Sequence, residues 1–114
     1  MMISVTGRTF SARVLECPGP VLVAFWAAWC VPCKAQLAAL EQLSLQNPEL
    51  TVCTVNADEQ FSLAVRWRVS VLPTLMLFQG GRPVARTEGP CTGAALLRLA
   101  EGGGAACENT AEKL

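Results

Sequence analysis

Cys30 and Cys33, in Trp29-Cys30-Val31-Pro32-Cys33-Lys34, are the residues of this chain best suited to chemistry. On a helix, a separation of three places the second thiol about one turn beyond the first, near enough to close a disulfide. Such a pair takes two electrons from a substrate or gives two back. The apolar run Val21-Leu22-Val23-Ala24-Phe25-Trp26 precedes it and reads as a buried strand, and the helix-forming segment Lys34 to Leu40 follows. Cys30 therefore falls at a strand-to-helix junction, among backbone N–H groups that lack an intrahelical partner. Those donors, with the positive end of the helix dipole, favour a thiolate over a thiol. Lys34 adds a nearby positive charge, which solvent screens if the side chain points outward.

The elements that must hold this pair follow from apolar spacing and from breakers. Ile3 to Val5 reads as a short edge strand. Thr9 is placed to cap a helix from Phe10 to Glu16 with Phe10, Val14 and Ala12 inward, and Cys17-Pro18-Gly19-Pro20 breaks it. Val21 to Ala27, apolar on both faces, suggests a parallel strand covered by helices. The next helix runs from Cys33 to Gln46 and stops at Asn47-Pro48, with Leu37, Leu40 and Leu43 or Ser44 as its inner stripe. Thr51 to Asn56 alternates as a strand does. Asp58 is placed to cap a helix whose Phe61, Ala64 and Val65 share one face. Thr74 to Phe78, the turn Gly80-Gly81 and Pro83 to Thr87 read as a hairpin. Thr92 caps the last helix, with Leu96, Leu99 and Ala100 on its buried side. The run Gly102-Gly103-Gly104 ends it, so the expected division is one domain over residues 1–101 and a flexible tail over 102–114. This order of elements implies an α/β architecture, a mixed sheet between helices, with the strand order left open.

Composition narrows the function. A chain of 114 residues is one domain by length, and its nine basic residues balance nine acidic ones without forming a basic patch for nucleic acid. The apolar fraction of 52 % does not imply a membrane, because Val21 to Cys33 is too short for a span of about 20 residues and contains Pro32. The start, Met1 to Arg8, has no apolar core or cleavage site of a signal peptide, and the expected location is cytoplasmic. In that reducing setting Cys17, Cys53, Cys91 and Cys107 are expected as separate thiols, and an inert staple between Cys30 and Cys33 is disfavoured. A metal site is not expected: zinc normally needs four ligands, and one close-spaced cysteine pair with no histidine does not supply them.

With Trp26-Ala27-Ala28-Trp29-Cys30, Pro32-Cys33-Lys34 and Val71-Leu72-Pro73-Thr74 in this order, the chain resembles the thioredoxins over about residues 3 to 101. The resemblance implies a thioredoxin fold, a central mixed sheet with two helices on each face. It implies a protein-disulfide reductase in which Cys30 is the nucleophile and Cys33 the resolving residue, with Trp29, Pro32 and a cis Pro73 in support. Val31, Leu72 and Gly89 would line the substrate groove. The implied partners are disulfide-containing proteins and a flavoprotein thioredoxin reductase, the only redox group being the Cys30–Cys33 disulfide, with no bound cofactor and a monomeric chain. Three positions depart from the family pattern: Val31 replaces a glycine, Ala24 a buried aspartate and Thr54 a lysine near that carboxylate. Alternatives on the same fold are a disulfide oxidase or isomerase, since residues between the cysteines tune redox poise, and a binding module without turnover.

Overall fold

Five strands form one mixed sheet in the computed structural model, which describes residues 2–101. β1 (Met2–Ser4), β2 (Val21–Trp26), β3 (Thr51–Asn56), β4 (Thr74–Gln79) and β5 (Arg82–Glu88) stand in the order β1-β3-β2-β4-β5. The first three run parallel to one another, β4 is antiparallel to β2, and β5 is antiparallel to β4. The segment expected to be a tail, 102–114, lies outside the described residues, and Cys107 with it.

Strand β2 is apolar at every position because both of its faces are covered. Val21, Val23 and Phe25 enter one core with Phe10, Val14, Leu63 and Phe78. Leu22 and Ala24 enter the other, with Leu40, Leu43, Leu96 and Leu99. Helix α1 (Val31–Gln46) and helix α3 (Gly93–Ala100) cover the second core. Helix α2 (Phe61–Arg66) and a wide helical turn over Ser11–Leu15 cover the first. Two helical elements on each face are what the family resemblance implies.

Local chemistry explains the ends of α1. Cys30 occupies the N-cap in an extended conformation, and Pro32 presets the first turn where its missing N–H costs nothing. Alanine, leucine and glutamine, all good helix formers, fill the body. At the far end the backbone and side-chain N–H groups of Asn47 both donate to Leu43 O at 3.0 Å, and Pro48 bars continuation. Thr92 caps α3 as expected, its Oγ1 accepting the Ala95 N–H at 3.1 Å.

Other expectations fail locally. The segment after Phe10 closes an i to i+5 bond, Glu16 N–H to Ser11 O at 2.8 Å, so it is a π turn and leaves Ala12 exposed. Thr9 does not cap it; the Thr9 hydroxyl instead accepts the Thr6 N–H at 2.9 Å. Helix α1 begins two residues before Cys33, and its buried stripe runs through Cys33, Gln36, Leu40, Leu43 and Ser44, leaving Leu37 half-buried. Asp58 does not cap α2. In α2 the buried residues are Leu63 and Ala64, so Phe61 and Val65 face outward.

One side chain ties α2 to the sheet. Arg86 of β5 donates through Nη1 to the Trp67 carbonyl and through Nη2 to the Arg68 carbonyl, both at 2.6 Å. Its remaining side is neutralised by Glu88, at 3.2 Å.

Candidate redox site

The site assembles where the C-terminal end of β2 meets the start of α1. Cys30 and Cys33 are joined as a disulfide, with Cα atoms 5.3 Å apart. Cys30 is 4 % exposed and Cys33 0 %, so the first cysteine is the one nearer solvent. Both pack with Ala27, Trp26 and Leu72. The Cys30 N–H is spent on Ala27 O at 3.1 Å. Pro32 has no N–H, which leaves the amides of Val31 and Cys33 as the free donors of the first helical turn around the cap. A sulfur anion at this position takes the place of a capping oxygen, where the dipole favours negative charge.

Around the pair lies an apolar rim. Trp29 is 67 % exposed and Val31 77 % exposed, on either side of Cys30. The indole N–H of Trp29 donates to Asp58 Oδ2 at 2.7 Å, and this bond is the role the structure gives Asp58. Trp29, Asp58, Phe61 and Leu72 line a shallow pocket of about 200 Å³ beside the disulfide, and Phe61 is 70 % exposed at its edge. Lys34 is exposed, so its charge acts through solvent.

The Leu72–Pro73 peptide bond is cis, Pro73 is buried, and Leu72 reaches the cysteine cluster. The Gly89 N–H donates to Pro73 O at 2.7 Å, which draws Gly89 against the proline loop. Gly89 has φ of 92°, a conformation that side chains resist. The positions singled out from sequence (Trp29, Cys30, Val31, Pro32, Cys33, Leu72, Pro73 and Gly89) thus occupy the α1 start and two linked loops.

Sequence reading missed Asp58 as the anchor of Trp29, Phe61 as an exposed aromatic and Gln36 as a buried polar residue. The signal for Phe61 was present but ambiguous, because α2 is apolar on almost every side. Cys17 and Cys53 carry free thiols. Burial, chiefly, pushes the Cys53 thiol up to about 11; the neighbouring Cys17 adds to this and Arg13 opposes it. Among the described residues no group of three or more potential metal ligands is brought together, and no helix is long and apolar enough to cross a membrane.

Comparison with known proteins agrees with this geometry. The Thioredoxin family profile matches residues 1–101. A thioredoxin of Mycobacterium bovis is 42 % identical over 97 residues, which cover 84 % of each chain. A thioredoxin of Streptomyces clavuligerus is 39 % identical over 95 residues, 83 % of this chain and 89 % of that one. A bifunctional thioredoxin reductase/thioredoxin of Mycobacterium leprae is 46 % identical over 97 residues, 84 % of this chain but 21 % of that much longer one.

Proposed function

Because the chain belongs to the thioredoxin family and is a thiol–disulfide oxidoreductase that reduces protein disulfides, we propose that Cys30 is its attacking sulfur and Cys33 its resolving one. The observation that carries the assignment is the position of Cys30, at the N-cap of α1 and next to two exposed apolar side chains, with Cys33 fully enclosed one turn behind. A disulfide on a partner polypeptide meets Cys30 first.

The cycle follows from exchange chemistry. The Cys30 thiolate attacks one sulfur of the partner's disulfide, forming a mixed disulfide and expelling the other partner sulfur as thiolate. Cys33 loses its proton and attacks the Cys30 sulfur; the Cys30–Cys33 bond forms and the second partner sulfur leaves. Two electrons have moved to the partner, and the dithiol has become the disulfide. A second electron pair must then regenerate the dithiol. A flavoprotein thioredoxin reductase is the proposed donor, and the bifunctional mycobacterial relative, named for both activities, supports that pairing.

Trp29, Val31, Leu72 and Gly89 are the proposed groove for the partner chain, with Pro32 and Pro73 holding its shape. The loop before Pro73 is the proposed stretch of main chain for a bound strand to pair with. Phe61 and the pocket beside Trp29 extend this groove toward α2.

The test is turnover of a model disulfide protein with thioredoxin reductase and a nicotinamide donor. Cys30→Ser should abolish it, and Cys33→Ser should trap the mixed disulfide. Turnover that survives Cys30→Ser overturns the assignment.

A further inference from the structure

Gln36 is a polar residue in an apolar place. It is 3 % exposed on the buried stripe of α1, three residues after Cys33. Its Oε1 accepts the Cys91 N–H at 2.7 Å, which sets the orientation of the amide. The Nε2 group is then left buried, and among the described residues it has no partner. A buried donor without an acceptor is costly, so native chains seldom keep one without use. Long side chains on a helix lean toward its N-terminus, over the turn three and four residues earlier. For Gln36 that turn is Pro32 and Cys33. In the oxidised protein the Cys33 sulfur is committed to Cys30. Opening of that bond creates a sulfur with free lone pairs and, on ionisation, a full negative charge.

We propose that Gln36 is a positioning residue for the resolving step: its Nε2 donates to the Cys33 sulfur once the disulfide opens, and so favours the Cys33 thiolate. This rests on Cys33 as the resolving cysteine. The surroundings leave few other groups for the task. Across the sheet beneath α1 the register aligns Thr54, Ala24, Leu75 and Thr87, none of them ionisable. Strands β1, β2 and β4 carry no ionisable side chain. Cys53 of β3 belongs to the opposite core. On β5, Arg86 and Glu88 pair with each other, and Arg82 is exposed. Arg66 of α2 lies over the rings of Phe10 and Trp67, and Asp58 is engaged by Trp29. Glu59, Arg98 of α3 and Lys34 are exposed, and Glu41 lies two turns further along α1.

The test is stopped-flow release of a fluorescent peptide thiol from the Cys30 mixed disulfide, from pH 5 to 10. Gln36→Met removes the donor at similar volume. Gln36→Glu keeps an oxygen for the Cys91 N–H but replaces the donor with an acid. The apparent pKa of release should rise in the order wild type, Gln36→Met, Gln36→Glu, the first step being about one unit, with release about tenfold slower below it. A Gln36→Met profile that superimposes on wild type overturns the proposal. So does a Gln36→Glu profile at or below wild type, since that pattern marks the Cys91 tether alone as important. Peptide attack by Cys30, measured in a Cys33→Ser background, should be the same with and without Gln36→Met; a shift there places the effect on Cys30 and overturns the proposal. Wild-type release from the Cys33→Ser protein would instead overturn the resolving role of Cys33 itself.

Discussion

Replacing Ala24 with aspartate should destabilise the protein by an amount that grows with pH. Ala24 is buried at the middle of β2, between Thr54 and Leu75 in register and under Leu40, Leu43 and Leu96. A carboxylate there meets one hydroxyl and no cation, so desolvation raises its pKa well above the ordinary value of about 3.9. If it stays protonated at pH 7, folding must supply the three-unit difference, about 4 kcal/mol at about 1.4 kcal/mol per unit. The folded-state pKa is raised, so the native form holds the extra proton. The deficit relative to wild type is therefore small below about pH 4, widens as pH rises, and flattens above the folded-state pKa. A constant term of about 1–3 kcal/mol for overpacking adds to it at every pH. Urea unfolding of both oxidised proteins at pH 4, 5.5 and 7 reads the difference directly, because all other titrating groups are common to both. A gap that does not change with pH, or an aspartate variant at least as stable as wild type at pH 7, refutes the reasoning. Once ionised, at pH above that folded-state pKa, the introduced carboxylate is a proton acceptor, and there it should quicken release of the mixed disulfide. An unchanged pH–rate profile for that step would detach Ala24 from the chemistry.

Cys53 provides a second pH signature. With its thiol raised from 9.0 to about 11 in the folded protein, its contribution to stability is intact below about pH 9 and is lost as pH climbs toward 11. Between pH 8 and 10.5 the loss should be roughly 2 kcal/mol, and Cys53→Ala should remove that slope in denaturant melts; identical slopes would show that the thiol does not titrate this way. Phe61→Ser should lower kcat/KM for a disulfide protein by about fivefold, from about 1 kcal/mol of lost apolar contact, while leaving reduction of a small aromatic disulfide unchanged. Equal effects on both substrates would remove Phe61 from the groove.

How legible the molecule was depends on the element. The run from Val21 to Trp26 announced a central strand because apolar residues on both faces have few other uses, and Pro20 and the Trp29–Cys33 motif bounded it. The loops of Leu72-Pro73 and Gly89 were reached through the resemblance to the thioredoxins, and the structure gives both an unusual backbone, a cis peptide at one and a positive φ at the other. Helix α2 was different. Phe61, Leu63, Ala64 and Val65 offer two apolar stripes on six residues, and only the packing of Leu63 and Ala64 against the sheet decides between them. Gln36 escaped because a search for apolar spacing passes over a glutamine at a core position, although 33, 36, 40 and 43 are helical neighbours. Asp58 precedes α2 and looked like a cap, but a long-range indole outcompeted the local backbone amides for its carboxylate.

The Arg86 clamp bears on how this protein greets partners of different shape. With the carbonyls of Trp67 and Arg68 held from β5, and Gln60 held by Asn56 at the other end, the backbone carrying Phe61 and Val65 is fastened on both sides. That wall arrives at an encounter already ordered, so association forfeits side-chain freedom rather than loop entropy. Accommodation then falls to rotation of a few outward rings and branched chains. Such a surface meets a disulfide-bearing partner with its main chain already in place.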